Sequence, residues 1–175
     1  MLTAKEIIAH LKLSPLPREG GYFRVNYLSD DVLPAESLPE RYECDHNAGN
    51  AIYFLTTPVQ FSAMHTLITD ENYYFHYGDP LEMLLLYPDG SGEVKVLGCD
   101  LMAGQQPQIG VPRDTCHGSR PLPGGNFGFS LLSTSMAPGY SDGDVSFAER
   151  DSLLVSHPDF VSYIDGLTRD KPINI

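Results

Sequence analysis

The chain alternates short apolar runs with turn-forming residues, and the period of the apolar positions changes twice along its length. At the start, Ile7, Ile8 and Leu11 recur at helical spacing. Thr3 precedes them with Glu6 three residues on, which is the signature of a capping box. This helix should end before Pro15, and Ser14 to Gly21 reads as a Pro/Gly loop. Tyr22–Leu28 is aromatic and branched, as a strand requires. Residues 29–50 are polar and acidic, broken by Pro34 and Pro39, and read as a long surface loop in which His46 is a solvated loop histidine. From residue 51 strand signals follow quickly: Ala51–Leu55, Phe61–Leu67, Asn72–Tyr77, Glu82–Tyr87, Glu93–Leu97, Gln108–Val111 and Asn126–Ser133, with Asp89-Gly90 as a hairpin turn. The period then returns to helical over Phe147–Val155 and Phe160–Leu167. Many short strands at regular spacing predict an all-β sandwich or barrel, not a parallel α/β sheet.

Composition agrees with this picture. Sixteen glycines and 14 prolines in 175 residues punctuate the chain more often than long helices allow. The length fits one domain. We divide it into a helix and lead-in loop (1–21), a barrel (22–140) and a C-terminal helical extension (141–175). The net charge of -12 repels phosphate backbones and anionic lipid heads, which argues against nucleic-acid and membrane partners. Cys44, Cys99 and Cys116 are odd in number and lack a CxxC, so they read as free thiols of a reducing compartment. No apolar run has the length of a membrane span and the N-terminus lacks a signal-peptide pattern, so the expected location is cytoplasmic.

The residues with chemistry fall into two groups, His65 with Glu71, and Asp114 with His117. Imidazole and carboxylate each offer a lone pair to a divalent transition metal. His65, Glu71 and His117 are therefore candidate ligands for one ion (Fe, Mn, Zn or Ni), provided that folding brings them together in a barrel interior. Without metal, His65 or His117 would act as a base opposite Tyr74 as an acid. Arg24 is a candidate for binding an anionic ligand, with a surface or interface ion pair as its alternative. Tyr53, Glu71, His76 and Gln108 complete the candidate ligand-binding set. Cys116 and His117 would point to opposite faces of a strand, so a thiolate–imidazole pair is not expected.

The spacing of these residues resembles the two cupin motifs. His65, Glu71 and Gly78 fall where the first motif has its first His, Glu and Gly, while the second His falls on Leu67. Pro112 to His117 matches the Pro-x-Gly-x-x-His of the second motif, with Asp114 in place of Gly. GGYFR (20–24), AIYFL (51–55), FSAMH (61–65), GDPLEMLLL (78–86), PQIGVP (107–112), APGY (137–140) and GLTR (166–169) occur in order. They are similar to the largely uncharacterised fifth cupin type, related to sugar-nucleotide epimerases. The resemblance covers roughly residues 1–169. It implies a double-stranded β-helix (jelly roll) and a homodimer. Members of this branch commonly carry Trp-His-Phe where this chain has Tyr73-Tyr74-Phe75, so Tyr74 with His76 on the same strand face would have to stand in.

The resulting expectation is a cupin that holds a small molecule in its barrel. It would be an isomerase or epimerase of a sugar nucleotide or other carbohydrate-like ligand. The alternatives are a binding or sensing protein without turnover and, third, a metal-dependent oxygenase. Fold alone does not choose among them.

Overall fold

The computed structural model describes residues 2–169. It contains thirteen strands and three α-helices in these residues: α1 (Ala4–Leu11), β1 (Ser14–Pro15), β2 (Tyr22–Leu28), β3 (Val32–Leu33), β4 (His46–Asn47), β5 (Asn50–Thr56), β6 (Ser62–Leu67), β7 (Glu71–Gly78), β8 (Leu81–Leu86), β9 (Gly92–Leu97), β10 (Gln108–Val111), β11 (Cys116–Pro121), β12 (Ser130–Met136), β13 (Val145–Phe147), α2 (Arg150–Ser156) and α3 (Val161–Leu167). Two antiparallel sheets face each other as a jelly roll. One has the order β1-β2-β5-β12-β7-β10 and the other β13-β6-β11-β8-β9. The sheets take in β1 and β13, which lie outside the 22–140 span drawn from sequence.

Three apolar clusters explain the sequence pattern. Phe54, Tyr73, Leu81, Met83, Leu85 and Leu132 are among the residues that pack between the sheets. Leu84 and Leu86 face the other way and pack with Met64 under Leu153, Ile164 and Leu167 of α2 and α3. β8 is thus buried on both faces, which is why it reads as a continuous apolar run without alternation. Ile7 of α1 closes a third cluster with Leu13, Leu55 and Phe129, outside the six-stranded sheet. The capping box forms as expected: Glu6 N–H donates to Thr3 Oγ1 at 3.3 Å and Thr3 N–H to Glu6 Oε2 at 2.8 Å.

Some expectations need correction. The 29–50 loop is partly structured, with β3 and β4 paired through Val32–Asn47 and Leu33–His46. His46 is buried rather than solvated, with Asp144 Oδ2 3.0 Å from Nε2 and the Cys44 carbonyl 2.7 Å from Nδ1. The strand expected from Asn126 starts only at Ser130, because the N–H groups of Asn126, Phe127 and Gly128 are gathered on the buried Asp79 carboxylate. The helix expected from Phe147 starts at Arg150, because Val145–Phe147 adds to the edge of β6. Among the described residues no helix is long and apolar enough to cross a membrane.

Candidate metal centre and cavity

β6 and β11 are antiparallel neighbours, and their register sets His65 directly opposite His117. Side chains of such a cross-strand pair share a face, and the two imidazole centroids lie 4.2 Å apart. Glu71 opens β7 on the facing sheet, between Val111 and Met136. One donor atom from each of His65, Glu71 and His117 lies within 4.8 Å of the others, and all three residues are buried. Residues remote in sequence thus converge as a barrel interior permits.

The hydrogen bonds orient the donors. His65 Nδ1 is 2.8 Å from the Ala63 carbonyl and His117 Nδ1 is 3.1 Å from the Thr115 carbonyl. A carbonyl only accepts, so each ring donates from Nδ1 and carries its lone pair on Nε2 when neutral. The Tyr73 hydroxyl stands 3.1 Å from His117 Nε2. Glu71 Oε2 is buried without a hydrogen-bond partner, and His117 Nε2 is 3.4 Å away. A buried carboxylate oxygen left this way costs free energy unless a cation meets it.

Burial, followed by the His117 charge, pushes His65 down to about 3, so the ring is neutral at neutral pH. Burial alone would push Glu71 up, but contact with His117 and its charge, with the Thr134 hydroxyl, holds it below its ordinary range. Burial and the Glu71 and Glu19 charges hold the Tyr73 hydroxyl well above 10, so it keeps its proton. Two lone pairs and one carboxylate around a common point suit a divalent transition metal.

His65 and Glu71 border a cavity of about 460 Å³ that opens beneath the loop joining β1 to β2. Its walls are mainly apolar, with Leu16, Phe23, Ile52, Met136 and Phe147 among them, and Leu67, at the second-His position, joins this wall. Arg18, Glu19 and Thr134 also face it.

Several candidates lie elsewhere. Glu71 and Tyr73 point inward along β7, which sends Tyr74 and His76 to the outer face. There Tyr74 meets Ser135 at 3.2 Å and His76 meets Ser133 at 2.9 Å. Tyr73, not Tyr74, brings its hydroxyl to the cluster. Arg24 lies 5.3 Å from the Tyr53 ring centroid, and Tyr53 stacks edge-on to His76. Gln108 pairs with Tyr74 on the neighbouring strand and is exposed. Arg24, Tyr53, Tyr74, His76 and Gln108 are therefore not lining residues of the cavity. Cys116 is a free thiol pushed up to about 11 by burial, which leaves no thiolate for catalysis.

Sequence reasoning singled out neither Glu19 nor Tyr73 for the site. The signal for Glu19 was the pair of glycines after it. Gly20 and Gly21 have φ of +100° and +75°, and a Cβ on Gly20 would lie 2.3 Å from the Phe61 carbonyl. Only glycines let the loop press onto β5 and β6 and carry Glu19 to the cavity.

A family model described as Cupin superfamily (DUF985) matches residues 5–148. The chain belongs to this family. This cupin is similar in structure to a protein of Shewanella oneidensis, at 30% identity and TM-score 0.85, covering 98% of this chain and all of the other. It is similar to a hypothetical protein from Leishmania major at 26% identity and TM-score 0.85, covering 97% of this chain and all of that one. The oxalate decarboxylase of Bacillus subtilis, whose Mn(II) centres are named in the description of one structure, aligns at TM-score 0.51 and 12% identity. That match covers 94% of this cupin but 40% of the decarboxylase, a likeness of fold alone. No curated protein is significantly similar to the cupin.

Proposed function

We propose that this cupin binds one divalent transition metal at His65, Glu71 and His117 and presents it to a small molecule in the adjoining cavity. The observation that carries the reading is the geometry of the donors: two Nε2 lone pairs set by backbone carbonyls, and a buried Glu71 oxygen without a partner. When bound, such an ion polarises a ligand oxygen or lowers the pKa of a coordinated water. The chain's own groups do the rest. The Ala63 and Thr115 carbonyls fix the two rings, as outer partners of metal-binding histidines do. Leu67 and its apolar neighbours exclude water. With both imidazole lone pairs engaged, Glu19 is left as the cavity group able to exchange a proton with a ligand, in place of the base role expected of His65 or His117.

The carbohydrate-like substrate expected from the resemblance has less support. A sugar nucleotide carries a diphosphate, and among the described residues Arg18 is the one Lys or Arg bordering the cavity, against Glu19, Glu71 and Asp142. The homodimer stays an expectation from the resemblance, for which light scattering at micromolar concentration is the direct measurement. Whether the bound molecule is turned over separates an isomerase from a sensor, and product analysis after incubation decides it.

The test of the metal reading is elemental analysis of freshly purified protein. About one metal per chain is expected, and His65→Ala and His117→Ala should each abolish it. Stoichiometric metal in both variants would overturn the assignment.

A further inference from the structure

We propose that the cavity takes a small weak acid with an apolar body, an aliphatic or aryl monocarboxylate, and that Glu19 meets its carboxylate head as a hydrogen-bond donor. The inference rests on the cluster being the binding centre and adds the class of ligand.

The walls set the body. Leu16, Phe23, Ile52, Leu67, Met136 and Val145 offer carbon to whatever enters. Asn50, Thr134, Tyr140 and Asp142 can meet some hydroxyl groups of a polyol, but the larger carbon part of the wall satisfies none, whereas an alkyl chain or aryl ring loses nothing by leaving water. Sites that bind small molecules commonly combine such walls with a few convergent polar groups.

Charge sets the head. Arg18, its guanidinium 4.3 Å from the Phe147 ring centroid, borders the cavity at its exposed side. With a divalent ion on two neutral histidines and one carboxylate, the centre has room for a single anionic charge. A diphosphate would bring more negative charge than the ion and Arg18 offset beside Glu19, Glu71 and Asp142.

Glu19 is placed to complete the head's contacts. Ser62 Oγ–H donates to Glu19 Oε1 at 2.7 Å, and among the described residues the carboxyl makes no other hydrogen bond. The nearby Arg169 donates its hydrogen bonds to the backbone carbonyls of Glu19 and Phe61, each at 2.6 Å, and its charge offsets only part of the burial of the Glu19 carboxyl. The carboxyl thus borders the cavity without an ion pair among the described residues. The charged and titratable groups around it are Glu71 of β7, His65 of β6, His117 of β11, Tyr73 of β7, Arg18 beside it in the loop, Arg169 after α3, and Tyr140 and Asp142 before β13. Burial and the Glu71 charge raise it to about 7 in the metal-free protein, and the charge of a carboxylate ligand beside it acts in the same direction. A protonated carboxyl donates where an ionised one repels, so an incoming carboxylate selects the form that holds it.

The experiment is calorimetric titration of the Mn²⁺-replete protein with hexanoate and phenylacetate, and with glucose and UDP-glucose as polar comparators, from about pH 5 to about pH 8. Metal content is measured on the same samples. The monocarboxylates are expected to bind at one per chain and at least about tenfold more tightly than either comparator. Wild-type affinity should fall towards about tenfold per pH unit once Glu19 loses its proton. Glu19→Gln keeps a neutral donor and should hold its affinity across the range. Glu19→Ala should bind about tenfold more weakly at the acid end. Ile52→Asn should weaken hexanoate while leaving metal content unchanged. Protein that holds no metal would overturn the reading of the centre itself. Metal-replete protein that ignores hexanoate, prefers a comparator, or shows the same pH profile in Glu19→Gln as in wild type would overturn the ligand class and the role of Glu19 alone.

Discussion

His46 and His117 are both buried imidazoles facing a buried carboxylate, yet their surroundings differ in the one respect that separates a brace from a binding site. Around His46 each ring nitrogen meets an acceptor, the Cys44 carbonyl at 2.7 Å and Asp144 at 3.0 Å. Asp144 also accepts the Ser141 N–H at 2.8 Å, so the pair ties β4 to the turn that leads into β13. Around His117 and His65 the backbone takes Nδ1 of each ring and the Tyr73 hydroxyl stands 3.1 Å from His117 Nε2, while Glu71 keeps an oxygen without a hydrogen bond. A buried carboxylate oxygen left open a few strands away from a fully satisfied pair marks a place where a cation can be met.

The largest effect should come from breaking the closed pair. His46→Ala or Asp144→Ala removes one partner of a buried pair and strands the other, which costs about 3–5 kcal/mol. Urea unfolding of the metal-free proteins measures it, and a loss below about 1 kcal/mol would erase the distinction drawn here. The open cluster should behave in the opposite way. His65→Ala and His117→Ala should lower metal affinity by about 100-fold or more, yet cost the metal-free fold no more than about 1–2 kcal/mol.

That contrast also shows what could be read from the chain. The capping box at Thr3 and Glu6 and the strands flanking His65 were legible because their signals are local: period, cap and turn. His65, Glu71 and His117 were legible as a set through motif spacing. Strand parity was misjudged at one point, since Tyr74 and His76 were placed on the working side when Glu71 and Tyr73 occupy it. Alternation is exact along a strand, but its origin is set by which face meets the opposite sheet, and β7 carries aromatic residues on both faces. His46 was misjudged because its partner is 98 residues away in a turn that no local pattern marks.

Acid titration of the metal-free protein sharpens the comparison further. His65 is pushed down to about 3 from an ordinary 6.5, so between these values the unfolded chain holds a proton that the folded one refuses. Stability therefore falls as pH drops through that window, by about 2 kcal/mol by about pH 5. Glu19 works against it. Its carboxyl is raised to about 7 from 4.5, so the folded chain holds the extra proton and stability rises as pH drops from about 7. Partial exposure to the cavity reduces that gain to about 1 kcal/mol. Wild type should thus lose only about 1 kcal/mol between about pH 7 and about pH 5, while Glu19→Gln loses the full amount and His65→Asn gains stability on acidification. Unfolding midpoints at the two pH values test this, and identical slopes for all three proteins would refute the opposition.

The smallest effect concerns the departure at Asp114. The resemblance puts a Gly there, and the backbone shows why: Asp114 has φ of +64°, and its N–H donates to the Leu67 carbonyl at 2.9 Å. That bond docks the turn before β11 onto the end of β6, next to both histidines. Aspartate tolerates the left-handed region better than most residues but still sits there at a cost. Its side chain contributes little in return, since the Arg113 contact at 3.5 Å is exposed on both sides. Asp114→Gly removes the strain but gives the unfolded chain more freedom, and the two terms oppose each other. The expected net change is a stabilisation of at most about 1 kcal/mol, with metal stoichiometry unchanged. A loss of metal in this variant would mean that the Asp114 side chain, and not only its backbone, helps to set the cluster.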